Sequence, residues 1–272
     1  MGASLVDQYQ RQARWRRWSE ALALLPLERG QRVLDLGCGV GEIAGRLRQL
    51  GVEVVGVDAN EELLSAARLS YPDVCFECAD IRELAPETVG IVDGIWASFV
   101  AAYFPDLTPT LARWSACLRP GGWMALVEMD DLFAHEPFPN EFRDDIARFY
   151  EEAKRAGRYD FEAGRSLAGA ARAAGLELLH ESVLADDELS FAGAAKPDVL
   201  EAWRSRLDRM GGLKAFLGDR FTKFAEAFAA TLRSDHHSSR TRVICVIAQR
   251  PNTNATKQRA DAISESSRST GA

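Results

Sequence analysis

The sequence predicts the α/β class, with a parallel sheet covered by helices on both faces. Three observations predict it. Short apolar runs alternate with amphipathic segments over residues 33–129, the pattern of consecutive strand–helix units. The run Val33-Leu34-Asp35-Leu36-Gly37-Cys38-Gly39-Val40-Gly41 is a strand that breaks into glycine at every second position. The residues able to do chemistry (Asp35 to Gly41, Asp58, Asp80, Ser98 and Glu128) fall at the carboxyl ends of the predicted strands, where such sheets bind ligands.

In chain order, residues 5–25 read as one amphipathic helix, with Leu5, Tyr9, Ala13, Trp18 and Leu22 among basic residues. Its arginines, Arg11, Arg14, Arg16 and Arg17, read as a solvated face. After the first strand and its glycine loop, Ile43, Leu47 and Leu50 share one face of a helix. A helix start offers free N–H groups and a partial positive charge to a ligand lying on the loop. The strand Val52–Val57 ends on Asp58, the place from which an acid holds a ribose diol in nucleotide-binding α/β folds. A helix over Glu61–Ser70 stops at Pro72, and the strand Val74–Ala79 ends at Asp80-Ile81. Asp80 on its own is equally an N-cap for the short segment after it. Ile91–Ala97 is apolar enough to be buried on both faces and leads into Ser98–Phe104. A helix over Leu107–Leu118, a turn at Arg119-Pro120-Gly121-Gly122 and a strand over Trp123–Glu128 complete the regular alternation.

Two additions follow. Residues 130–165 hold a polar loop with Asp130, Asp131 and His135, then a helix from about Asn140 to Gly157. Ser166–Ala174 and Leu176–Leu184 read as the next core helix and strand. Residues 185–240 read as helices from Pro197 to Met210 and on to Arg233, broken at Gly211-Gly212, with Trp203, Phe216, Phe221, Phe224 and Phe228 mostly in the core. His236-His237 read as a surface turn. Thr241–Gln249 is a last strand, and the polar tail from Pro251 is expected to be disordered. The expected organisation is a helical cap (1–29), a core (30–184 with 241–250, carrying the 130–165 insertion), a helical lid (185–240) and a tail (251–272).

The spacing of the loop argues about its ligand. A dinucleotide fingerprint needs a third glycine where Glu42 stands, and Asp35 would repel phosphate but suits a cationic amino group. The series Asp35-x-Gly37-x-Gly39-x-Gly41 with the later Asp58 resembles motif I of the class I S-adenosylmethionine (SAM)-dependent methyltransferases, and Leu118-Arg119-Pro120-Gly121-Gly122 before an apolar strand is similar to a feature of the same superfamily. The closest resemblance in character is to small-molecule enzymes of quinone and natural-product biosynthesis. It implies a Rossmann-like, seven-stranded, mostly parallel sheet with the last strand antiparallel, SAM as cofactor, and helical insertions forming a substrate lid. It implies cofactor contacts from Asp35, Gly37, Cys38 and Gly39, from Asp58 and Ala59, and from Asp80 and Ile81 at the adenine. Tyr9 near the methionine end and Ser98-Phe99 in motif IV complete that set. No N-P-P-Y or D-P-P-Y tetrad occurs there, which disfavours DNA and glutamine acceptors.

Composition narrows the partners. The chain of 272 residues is 47% hydrophobic and carries a net charge of −7, with no long basic cluster. A nucleic-acid backbone is disfavoured as partner, and a small-molecule acceptor expected. With neither a signal pattern nor a spanning run, a cytoplasmic protein that does not enter the membrane is expected; a homodimer is compatible with this reading. Five scattered cysteines argue against a disulfide framework. Cys75-x-x-Cys78 lies in a strand whose positions three apart face opposite ways, so metal binding is disfavoured, and no metal is assigned. For methyl transfer, His135 is the candidate general base, with Glu128, Asp131 and Tyr103 as candidates for orienting the acceptor. The alternatives are a SAM-binding protein that does not methylate and, more distantly, an NAD(P)-dependent dehydrogenase.

Overall fold

The structure is a computed structural model, and it describes residues 4–252. The elements, in order, are α1 (Leu5–Ala13), α2 (Trp18–Ala23), β1 (Arg32–Leu36), α3 (Glu42–Gln49), β2 (Glu53–Asp58), α4 (Glu61–Ser70), β3 (Cys75–Cys78) and α5 (Pro86–Val89). They continue with β4 (Val92–Ser98), α6 (Leu107–Ala116), β5 (Leu118–Asp130), β6 (His135–Glu136), α7 (Asn140–Arg155), α8 (Leu167–Ala173) and β7 (Glu177–Leu184). The chain then forms α9 (Pro197–Arg209), α10 (Gly211–Leu217), α11 (Phe221–Arg233), β8 (Ser238–Ser239) and β9 (Arg242–Gln249).

Seven strands form one sheet in the order β3-β2-β1-β4-β5-β9-β7, and β6 pairs separately with β8. The five strands from β3 to β5 run parallel. β9 is antiparallel to both its neighbours, β5 and β7. The expected seven-stranded, mostly parallel architecture with an antiparallel last strand is therefore present. Its centre is apolar on both faces: Leu34, Ile95, Trp96, Met124 and Ala125 are all fully buried, as a sheet covered by helices on both sides requires. One apolar layer gathers Val33, Trp96, Trp123 and the added aromatics, and the other gathers Leu34, Ile95, Trp114 and Leu167.

Local signals set several boundaries. Ser4 caps α1 reciprocally, its Oγ accepting from Asp7 N (3.1 Å) while Asp7 accepts from Ser4 N (3.0 Å). Asn60 caps α4 through Glu62 N and Leu63 N.

Four expectations need correction. Residues 5–25 are two helices, because residues 14–17 leave the helical path and Arg16 forms a bridge with Asp186. The arginines there are not all solvated: the Arg16 side chain is buried, paired with Asp186 and Glu188. Residues 119–122 belong to β5, which absorbs the turn as a register shift opposite Val92 and Gly94. The Gly211-Gly212 break begins α10, and the chain kinks again at Gly218–Arg220 before α11. The expected tail lies, beyond Pro251 and Asn252, outside the described residues. Cys75 and Cys78 are both exposed and free. Among the described residues, no cluster of His, Cys, Asp or Glu could hold a metal ion, and no helix is long and apolar enough to cross a membrane.

Candidate active site

The glycine loop between β1 and α3 is tied to the end of β2. Gly37 N and Cys38 N donate to Val57 O (2.7 and 3.1 Å), and Gly39 N donates to Asp58 Oδ2 (2.9 Å). Asp58 Oδ1 accepts from Asn60 N (2.9 Å), so the carboxylate is oriented by the backbone on both sides of it. Gly37 and Gly39 hold left-handed backbone, φ 69° and 52°. A Cβ on Gly37 would sit 2.2 Å from Val100 Cγ1, and one on Gly39 would sit 3.2 Å from the Tyr9 ring. The alternate glycines thus keep open a cradle that any side chain would fill.

Three adjoining cavities run along the carboxyl ends of the parallel strands. One of about 180 Å³ is lined by Tyr9, Asp35, Gly37, Cys38, Gly39, Ser98 and Phe99, with Arg16, Glu42 and Arg206. A second, about 360 Å³, is lined by Gly37, Asp58, Ala59, Asp80 and Ile81, with Val100 and Tyr103. The third, also about 360 Å³, lies between Tyr103, Met129, Tyr159, Phe161 and the α9–α10 junction. Tyr103 lines all three. The structure therefore brings every residue expected to hold the cofactor to the first two cavities, and Tyr103 to the point where the third meets them.

Electrostatics distinguish the first cavity. Asp35 is 2% exposed, and its Oδ2 has no hydrogen-bond partner among the described residues. Burial pushes its pKa up to about 7, with the Ala44 backbone N–H opposing and the charge of Asp58 adding. A buried carboxylate with an orphaned oxygen beside an open glycine cradle is a site for a cation. The α-amino group of SAM fits it, and a phosphate does not. Phe99 sits in left-handed backbone (φ 55°), a conformation that costs a non-glycine residue about 1–2 kcal/mol. It is held by a bond from its N–H to Val127 O (2.8 Å), by the Arg16 guanidinium 4.8 Å over its ring, and by the Trp18 edge at 6.0 Å.

Asp80 does cap the following turn, accepting from Arg82 N (2.9 Å) and pairing with the Arg82 guanidinium. It still faces the second cavity, so the two readings of this residue coexist.

The catalytic candidates separate. His135 lines none of these cavities. Pairing of β6 with β8 turns it inward, where it is 1% exposed against Trp203 and Phe228. Its Nδ1 lies 2.9 Å from His237 Nε2, whose other nitrogen meets Gly193 O at 3.1 Å. Burial, then the neighbouring His237, lowers its pKa to about 3. The general-base assignment fails because the loop expected to be wet folds into an aromatic cluster. The surface-turn reading of His237 fails with it, since that ring is equally buried. Glu128 is fully buried and also lines no cavity. It accepts from Met129 N (3.0 Å) and Ala102 N (3.1 Å), pinning the turn that carries Tyr103, and burial raises its pKa to about 7. Asp131 accepts from Tyr150 OH (3.2 Å) within the first insertion.

Sequence reasoning missed Arg16, Met129, Tyr159, Arg206 and Arg209. Arg16 and Arg206 both pair with Glu188 (2.9 and 2.5 Å), joining the N-terminal segment and α9 at the rim of the first cavity. Besides Tyr103, the third cavity takes its aromatics from residues 149–161, whereas Phe224 and Phe228 of the second insertion are fully buried core.

Comparison with known proteins agrees with this geometry. Residues 8–181, more than half of the chain, match the family model described as a methyltransferase domain. Trans-aconitate 2-methyltransferase of Azoarcus sp. (strain BH72) is 39% identical over 109 residues, which are 39% of this chain and 42% of that protein. Ubiquinone biosynthesis O-methyltransferase of Bordetella avium (strain 197N) is 34% identical over 99 residues, 35% of this chain and 41% of that one. The chain thus spans well under half the length of these relatives. A provisionally named methyltransferase from Bacillus halodurans C-125 superposes with a TM-score of 0.60 at 19% identity, covering 87% of this chain and 99% of that one, a likeness of fold. By this family match, and with the fold of class I SAM-dependent methyltransferases, the chain belongs to the methyltransferase-domain family.

Proposed function

We propose that this protein is a SAM-dependent methyltransferase acting on a small-molecule acceptor. The observation that carries the reading is the orphaned carboxylate oxygen of buried Asp35 beside the glycine cradle, in a cavity that shares Gly37 and Tyr103 with the one lined by Asp58 and Asp80. Asp35 would hold the amino group, Asp58 the ribose hydroxyls, and Asp80 with Ile81 N–H the adenine. When bound, SAM supplies a methyl group on a sulfonium, open to in-line displacement by an acceptor lone pair. Tyr103, braced edge-on by Tyr159 at 4.9 Å, orients the acceptor at the junction of the cavities. Residues from 130–165 and 185–240 wall the third cavity beside it, and alignment of acceptor and methyl contributes several kcal/mol to catalysis. The third cavity is lined by no Asp, Glu or His, so the acceptor atom enters with its lone pair already available.

The net charge of −7 supports an acceptor other than nucleic acid, and the free cysteines support a reducing, cytoplasmic setting. The test is calorimetric titration with SAM, S-adenosylhomocysteine and NADH, followed by transfer of labelled methyl to a panel of phenols, acids, amines and enols. Tight NADH binding with none for SAM overturns the reading. Tight SAM binding with no transfer to any acceptor favours a SAM-binding protein of other activity.

A further inference from the structure

The third cavity has a charge pattern of its own. In a chain of net charge −7, its lining carries three arginines, Arg158, Arg206 and Arg209, and no carboxylate. Two of the three are neutralised locally: Arg206 by Glu188 (2.5 Å), itself shared with Arg16, and Arg158 by Glu152 (2.7 Å). Arg209 has no carboxylate partner among the described residues, and its Nη1 donates only to Ser205 O of its own helix (3.1 Å). Partial burial, then its neighbour Arg206, lower its pKa, with Tyr9 and Glu188 opposing; among the described residues no ion pair takes up its charge at the cavity. The remaining wall is apolar and aromatic, with Tyr159 and Phe161 in ring contact at 4.7 Å and Phe149 and Met129 beside them. A volume of about 360 Å³ falls within the range of ligand pockets, roughly 300–1,000 Å³.

Resting on the methyltransferase reading, we infer that the acceptor is an aromatic carboxylic acid, bound as its anion with its ring against Tyr159 and Phe161 and its carboxylate on Arg209. A planar guanidinium beside aromatic faces recognises such a molecule in two ways at once, by paired hydrogen bonds and by stacking. No Asp or Glu lines this wall, so no lining carboxylate repels the anion. The site is distinct from the Asp35 cavity, which selects a cation, so the two ligands are sorted by charge.

The test uses the full chain saturated with S-adenosylhomocysteine and measures binding of benzoate, 4-hydroxybenzoate and 1-naphthoate against their carboxamides by calorimetry. At least one acid binds about tenfold more tightly than its amide. Arg209→Gln removes that preference, Arg209→Lys retains part of it, and S-adenosylhomocysteine affinity is unchanged in both. Equal binding of acids and amides, no binding of any acid, or a preference that survives Arg209→Gln overturns the inference. Failure of S-adenosylhomocysteine to bind the wild type counts against the methyltransferase reading instead. The same acid and amide titrations without it then decide the anion site alone.

Discussion

Replacing Asp35 by Asn separates what the buried carboxylate costs the fold from what it does for the ligand. Its pKa is raised by burial from 3.8 to about 7, and at about 1.4 kcal/mol per unit this is a penalty of about 4 kcal/mol on the ligand-free protein when the group is ionised. The sign follows from the direction of the shift. Below about pH 4 the carboxyl is protonated in both folded and unfolded chains and costs nothing. As the pH rises, the unfolded chain ionises first, so stability falls until about pH 7 and is level above it. Asp35→Asn therefore gains stability relative to wild type in urea melts at pH 8 and little at pH 4, with an amplitude below the full penalty because the amide is itself unpaired. Binding goes the other way. With a pKa near 7 the ionised fraction falls about tenfold between pH 8 and pH 6, so wild-type affinity for SAM falls about tenfold over that interval, while Asp35→Asn binds weakly with a flat profile. Calorimetric titration at pH 6, 7 and 8 reads both. Equal affinity of Asp35→Asn and wild type at pH 8 would refute the ammonium assignment, as would a flat wild-type profile.

Asp58→Ala removes the carboxylate that holds Gly39 N and faces the second cavity; affinities for SAM and S-adenosylhomocysteine fall at least about tenfold by calorimetry. Tyr103→Phe keeps the edge contact with Tyr159 and retains kcat/KM within about threefold, whereas Tyr103→Ala lowers it by about 10–100-fold in a labelled-methyl assay. His135→Ala opens a cavity among Trp203, Phe228 and His237 and removes one buried hydrogen bond. It destabilises by about 2–4 kcal/mol in denaturant melts yet leaves kcat of the folded enzyme unchanged, a result a general base could not give.

The strands and their carboxyl ends were legible because each carries a local signal: an apolar run, then an acid or glycine where the chain must turn. Asp35, Asp58 and Asp80 lie within two residues of a strand end, so finding the strands found the candidate cofactor site. The acceptor side had no such signal. Arg16 looks like its basic neighbours until Asp186 and Glu188, 170 residues on, are brought against it. Arg206 and Arg209 sit on a helix whose sequence shows only an ordinary amphipathic face, and Tyr159 follows a helix end in a segment that reads as loop. His135 failed for the same reason in reverse. Its burial depends on His237 and the aromatics of α9 and α11, 68 to 102 residues away, and local polarity around it pointed to water.

The place of β9 in the sheet has a consequence for how the molecule is made. β7 has no sheet neighbour other than β9, and the outer edge of β5 is covered only by it. During synthesis the parallel half, β1 to β5, can assemble while β9 is still untranslated, but it then presents the apolar edge of β5 to the cell. β7 must wait, unpaired, through the next 57 residues until position 242 arrives. Sheet closure is thus the late and most non-local event of folding, and the interval before it is when β5 is open to association with other chains. A chain halted before residue 242 would keep the glycine loop and Asp58 yet be held permanently in that sticky state.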